Sequence, residues 1–130
     1  MTAGKALRYL MVNGTVGSDV TIAPYRADQA DDTAGDYIVY TCTQVEPYDT
    51  KSGVSTLDEE YYSFVVFSEN QDSLLSLAAK VRADLDRAAH QTILGIAIAG
   101  VQYQDTSNID HDDKTMRFEV ELRFKVRVKR

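Results

Sequence analysis

Polar and apolar residues alternate along the end of the chain, from Lys114 to Arg130. A period of two is the pattern of a β-strand with one apolar and one charged face. The apolar set is Met116, Phe118, Val120, Leu122, Phe124, Val126 and Val128, and the charged set is Arg117, Glu119, Glu121, Arg123, Lys125, Arg127 and Lys129. Such a strand is longer than the usual ~5–6 residues, and its charged face is mostly basic, so we expect a further surface to lie beside it.

Two segments have the spacing of amphipathic helices. Residues 4–12 place Leu7, Leu10 and Met11 on one face, and Asn13-Gly14 would end that helix because glycine tolerates the left-handed conformation. The main helix would start in a capping box, with Ser68 or Asn70 as the N-cap. Its apolar stripe is Leu74, Leu77, Ala78, Val81, Leu85 and Ala88, and its exposed side would carry Lys80, Arg82, Asp84, Asp86 and Arg87.

Further strands are predicted around these helices. Pro24 confines a short extended segment, residues 20–25, to a sheet edge, and an acidic loop follows at 26–36. The β-branched and aromatic content predicts strands at 37–45, 61–67 and 93–104, the last weakened by two glycines. Polar loops are predicted at 47–60 and 105–114. Together these elements predict a single α+β domain over 1–130, with a mostly antiparallel sheet of four to five strands and one main helix on one face.

The charge is unevenly distributed along the chain. The net charge is −6, but residues 1–113 hold seven basic and eighteen acidic side chains while residues 114–130 hold seven basic and two acidic ones. This asymmetry argues against a general nucleic-acid binder and fits self-association, in which a basic strand faces an acidic neighbour. It also fits the simpler interpretation that Arg and Lys only solvate a sheet face. No apolar run reaches the ~20 residues of a membrane helix, and the one cysteine, Cys42, cannot form an internal disulfide.

The sequence contains no motif that predicts catalysis. His90 is expected at the end of the main helix, where it caps or is simply exposed. His111 lies among Asp110, Asp112 and Asp113, which together could bind a divalent metal, although a solvated acidic turn fits this run better. No phosphate-binding loop or nucleophile motif is present. We therefore expect neither an enzyme nor a cofactor.

The order of these segments resembles a known family. The resemblance rests on Ala23-Pro24, the Tyr-Ile-Val-Tyr strand at 37–40, Lys51-Ser-Gly-Val in the long loop, the aromatic strand 61–67, the Asn-Gln-Asp-Ser-Leu helix start and the basic terminal strand. In this order the chain resembles the tail-completion or tail-terminator proteins of long-tailed, siphovirus-type bacteriophages and prophages. The resemblance covers nearly the whole chain.

This resemblance implies a virion structural protein assembled in the host cytoplasm. Members of that family form rings, typically hexamers, that cap the tail tube, end its polymerisation and join the tail to the head through the connector protein, and DNA passes through the channel. No membrane is involved. The candidate contacts to neighbouring subunits or the tube are Lys51, Ser52, Asp58, Glu59, Glu60, Arg123, Lys125 and Arg127. Two alternatives stay open: a head-completion protein on the portal side, and a small ligand- or metal-binding α+β oligomer.

Overall fold

The computed structural model describes residues 3–18, 20–24, 35–50, 53–113 and 116–129. Two helices and seven strands occupy this part of the chain, in the order α1 (Ala3–Val12), β1 (Thr21–Pro24), β2 (Tyr37–Thr50), β3 (Gly53–Ser68), α2 (Gln71–Asp86), β4 (Gln91–Ile93), β5 (Ile96–Thr106), β6 (Asp110–Asp112) and β7 (Arg117–Lys129). The α+β class and both predicted helices are confirmed. The sheet has more strands than the four to five predicted.

One mixed sheet contains all seven strands, in the order β1-β2-β3-β7-β5-β4, with β6 also paired to β7. Five of the six pairings are antiparallel, whereas the edge strand β1 runs parallel to β2. The terminal strand β7 is therefore central, with β3 on one side and β5 and β6 on the other. Both edges of β7 are thus paired within this chain, and a further surface against its charged face stays a prediction.

Both helices pack on one face of the sheet. The alternate residues of β7 from Val120 to Val128 point to that face and are buried with Phe64 and Val66 of β3. The helices contribute Leu7 and Met11 of α1 and the predicted stripe of α2 to the same core. Phe124 has no exposed surface, and its ring meets Phe64 edge-on at 5.8 Å between centroids.

Several predicted loops are strands instead. Residues 47–50 and 53–60 of the predicted polar loop belong to β2 and β3, in which Glu46 pairs with Glu59 and Tyr48 with Leu57. The 93–104 strand is interrupted after β4 by a two-residue turn, because Leu94 and Gly95 both have positive φ values of 52° and 78°. The 105–114 loop contains β6. The backbone of the two predicted loops thus pairs with a neighbouring strand, which their polar side chains did not indicate.

The backbone next to the helices and before β7 decides three further predictions. Asn70, not Ser68, is the N-cap of α2, and its side chain accepts hydrogen bonds from the amides of Asp72 and Ser73. Gly14 does not adopt the left-handed conformation after α1, whereas Gly17 does, with φ 85°. Met116 was expected on the apolar face, but it has φ 56° and is 63% exposed.

The largest correction on α2 concerns Asp84, which was placed on the exposed side and is fully buried. The chain after α1 folds over this helix, and the amides of Thr15 and Val16 each donate a 2.9 Å hydrogen bond to its carboxylate. Gly14 makes this approach possible, since a Cβ there would lie 2.6 Å from Asp84 Oδ1. Asp84 is thus buried despite its charge, because the segment after α1 donates hydrogen bonds to its carboxylate.

Candidate interaction surface

The face of the sheet opposite the helices carries the charged residues of β7. Residues paired across neighbouring strands point to the same side, so the register defines the members of this surface, which we call the helix-free face. It includes Glu59, Tyr61, Ser63, Val65 and Phe67 of β3, Glu119, Glu121, Arg123, Lys125, Arg127 and Lys129 of β7, and Gly100, Gln102 and Asp105 of β5. Neither described helix covers it.

At the end of this face that is nearest the C-terminus, two cations share one carboxylate. Glu59 lies 3.4 Å from Arg127 Nε and 3.9 Å from Lys125 Nζ, and the Tyr61 hydroxyl donates to it at 3.2 Å. The Glu59 side chain is only 12% exposed. Desolvation and the hydrogen bond to Glu59 raise the pKa of Tyr61, so its hydroxyl remains a donor at neutral pH.

Arg123 lies in the middle of the helix-free face and is neutralised within the chain. Its guanidinium contacts Asp105 of β5 at 2.9 Å and also forms an ion pair with Glu121 on its own strand. The hydrogen bond to Asp105 and the charge of Glu121 raise the pKa of Arg123. Glu121 also accepts a 2.5 Å hydrogen bond from the Ser63 hydroxyl.

Carboxylates gather at the other end of the helix-free face. Asp110 of β6 pairs with Glu119 of β7, and Asp112 lies opposite Arg117. Desolvation and then the charges of Asp110, Asp112 and Glu121 raise the pKa of Glu119. The face is therefore acidic beside β6 and basic toward the C-terminus, an arrangement that can attract a second charged surface in a defined orientation.

The predicted site residues are distributed over different environments. Glu59, Arg123, Lys125 and Arg127 lie together on the helix-free face, whereas Lys51 and Ser52 lie outside the described residues. Asp58 is half-buried in β3. Glu60 points to the opposite side, where it is 2% exposed and accepts hydrogen bonds from the Ala3 amide at 3.0 Å and the Tyr62 hydroxyl at 2.6 Å.

Glu59 and Glu60 therefore correct the expectation that these carboxylates are exposed in a loop. Glu60 ties the start of α1 to the sheet, a structural task that needs no partner protein. The residues missed on the helix-free face are Asp105, Ser63 and Gly100. A period-two pattern assigns Ser63 and Gly100 to a strand face, whereas Asp105 falls in the predicted loop, and the register of all three against β7 follows only from the tertiary pairing.

The acidic run around His111 does not form a metal-binding cluster in the part of the chain that the structure describes. His111 Nδ1 lies 3.1 Å from Asp113 Oδ1, and its ring packs 4.6 Å from that of Phe118. Asp110 and Asp112 extend from β6 to the helix-free face instead of converging on the imidazole. His90 is exposed in the turn after α2 with φ 62°.

The helices of the described residues include none that is long and apolar enough to cross a membrane. The fold and the surface together define an α+β domain whose two helices cover one sheet face and whose other face carries an ordered set of opposite charges. No protein-family model matches the sequence, and no curated protein matches it.

Solved structures do share this fold. One is a chain from the virion of a native gene transfer agent particle, with a TM-score of 0.73 and 16% sequence identity over 98% of this chain and 94% of that one. A second solved chain aligns with a TM-score of 0.53 and 15% identity over 97% and 96% of the two lengths. At these identities the likeness establishes the fold.

Proposed function

We propose that this chain is a structural protein of a virion or of a phage-like particle. The observation that carries the proposal is the fold shared, over 98% of its length, with a chain of the gene transfer agent virion. The charged helix-free face supports it, because a protein that assembles needs a surface with defined attractive and repulsive positions. No enzymatic role is proposed.

Within such a particle we propose the task of a tail terminator. The ordered resemblance described from the sequence supports a ring, with six subunits as the expected number, that caps the tail tube and joins it to the connector. The acidic and basic ends of the helix-free face support contacts between copies, since opposite charges on one molecule can pair with those of the next. The major tail tube protein and the connector protein would be the partners, and DNA would pass without specific binding.

A tube-capping assay tests this proposal. Tail tubes grown from the major tail protein should become shorter and closed by a ring at one end when the chain is added, as seen by electron microscopy of stained particles. A protein that stays monomeric and never engages tube ends would contradict the proposal. Binding to the portal side without binding to tubes would instead support a head-completion role.

Substitutions on the helix-free face test whether it contributes to assembly. Arg123, Lys125 and Arg127 should be changed to glutamine together, because glutamate would place new carboxylates beside Glu59 and Asp105 and disturb the fold itself. We expect a folded protein with a lower melting temperature, because Glu59 loses both of its cations, and impaired ring formation. Unchanged ring formation by the folded triple variant would show that the helix-free face is not part of the interface between subunits.

A further inference from the structure

A depression of about 110 Å³ opens on the helix-free face between β5 and β7. It is lined by Gly100, Val101, Gln102, Lys125 and Arg127. Gly100 lies opposite Arg127 and Gln102 opposite Lys125 in the strand register. A Cβ added to Gly100 would meet no heavy atom within 4 Å, so the missing side chain leaves this space open. A glycine inside a strand often marks a place where another group approaches closely.

The charges around this pocket are unequal. Lys125 and Arg127 contribute two positive charges, and Glu59 is the carboxylate that both approach. The distance of 3.9 Å between Lys125 Nζ and Glu59 Oε2 exceeds a hydrogen bond, yet the lysine side chain is only 20% exposed. The ammonium therefore has no carboxylate at hydrogen-bond distance among the described residues, so its charge is only partly compensated. A further anion at this point would stabilise it.

We propose that this pocket binds the carboxylate of an aspartate or glutamate side chain from a second copy of this chain. The inference rests on the proposed ring and names the contact that would hold neighbouring copies. A carboxylate fits the volume, since a water molecule occupies only ~30 Å³. Lys125 supplies a charged donor and Gln102 an amide donor. Arg123 is not part of this contact, because Asp105 and Glu121 already neutralise it.

The charge of the chain favours another copy as the source of the anion. Residues 1–113 carry eighteen acidic and seven basic side chains, so this part of a second copy offers an excess of carboxylates. The crowded carboxylates Asp110, Asp112 and Glu119 on the same face are one such group. A DNA phosphate is the other chemical possibility, but a net charge of −6 opposes binding of nucleic acid.

Three variants test the pocket by assembly. Gly100→Val fills the space at a position where valine suits a strand and where φ is not positive. Lys125→Gln removes one of the two positive charges that line the pocket. Lys129→Gln is the matched control, an exposed lysine of the same strand and face outside the pocket. Native mass spectrometry and sedimentation of rings, free or on tube ends, should show association weakened by about tenfold or more in the first two variants and unchanged in the control.

A titration of the isolated chain gives a second readout that does not depend on ring formation. In NMR spectra, sodium acetate should shift the backbone amide resonances of residues 100 and 102 in a saturable way in the wild type and in Lys129→Gln. The same titration should cause no saturable shift in Gly100→Val. Rings that form equally in all variants, or the absence of saturable shifts, would overturn the pocket while leaving the tube-capping proposal intact. Shifts produced by a short DNA duplex and not by acetate would overturn it in favour of a phosphate site.

Discussion

Thr15 donates two hydrogen bonds to the same oxygen of Asp84, from its amide at 2.9 Å and from its hydroxyl at 2.7 Å. Arg87 adds a third donor at 2.9 Å, and the Val16 amide satisfies the other carboxylate oxygen. A fully buried carboxylate with four donors is stable because both of its oxygens, which have lost water, accept hydrogen bonds from the protein. This contact fastens the segment after α1 onto α2 and so fixes the two helices relative to each other.

Asp84→Asn should destabilise the protein by about 2–3 kcal/mol, because the amide NH2 would face the Val16 N–H and leave a buried donor unsatisfied. Chemical denaturation of the variant gives the free energy of unfolding. Asp86→Asn is the control, since Asp86 lies on the same helix and is exposed. Equal stability of the two variants would show that the Asp84 contact contributes nothing.

Gly14→Ala should also destabilise the protein, by about 1–3 kcal/mol, since overpacking forces atoms apart. The added Cβ would lie 2.6 Å from the Leu10 carbonyl oxygen, which is backbone and cannot swing away, and 2.5 Å from Arg87 Nη2. Gly100→Ala is the control, because its Cβ would meet nothing. Thermal melting of both variants measures the difference, and the prediction fails when Gly14→Ala melts no lower than Gly100→Ala.

Phe124→Asp should prevent folding. The ring is fully buried between Phe64 and Tyr103, and an unpaired carboxylate there costs several kcal/mol against a total stability of roughly 5–15. Circular dichroism should show loss of the sheet signal. Phe124→Leu keeps the site apolar and should stay folded with reduced stability. A cooperative, native-like melt of the aspartate variant would contradict the central position of β7 in the core.

Glu119→Gln should raise the melting temperature at neutral pH. Desolvation and three neighbouring carboxylates raise the pKa of Glu119 above its ordinary value of 4.5. A raised pKa means that the folded state holds this proton more tightly, so stability is fully present below about pH 4.5 and falls as pH rises through the folded pKa. Glutamine does not ionise, so the variant does not lose this stability as the pH rises.

Melting curves of Glu119→Gln and of wild type at pH 4 and pH 7 provide the measurement. The two proteins should differ at pH 7 and converge at pH 4. Glu69→Gln, at an exposed glutamate, serves as the control and should change neither curve. A neutral-pH melting temperature equal to or below that of wild type would show that the carboxylates beside β6 do not repel one another.

The hydrophobic periodicity of the sequence predicted those parts of the fold in which the burial of each residue depends on its position within one helix or strand. The predicted stripe of α2 is confirmed as buried at Leu74, Leu77, Val81 and Leu85, and the alternation of β7 is confirmed from Val120 to Val128. Periodicity is sufficient there because a helix or strand presents one face to the core. It failed for residues 47–50 and 53–60, whose polar side chains resemble a loop although their backbone lies in two paired strands.

The sequence by itself determined the α+β class, the apolar faces and the basic character of the terminal strand, because these depend on composition and period. Only the tertiary structure decided the partners of the charged residues. Arg123 meets Asp105, Lys125 and Arg127 share Glu59, and Asp84 is buried by residues far from it in the chain. Strand register and helix docking bring such residues together, and both result from packing of the whole chain.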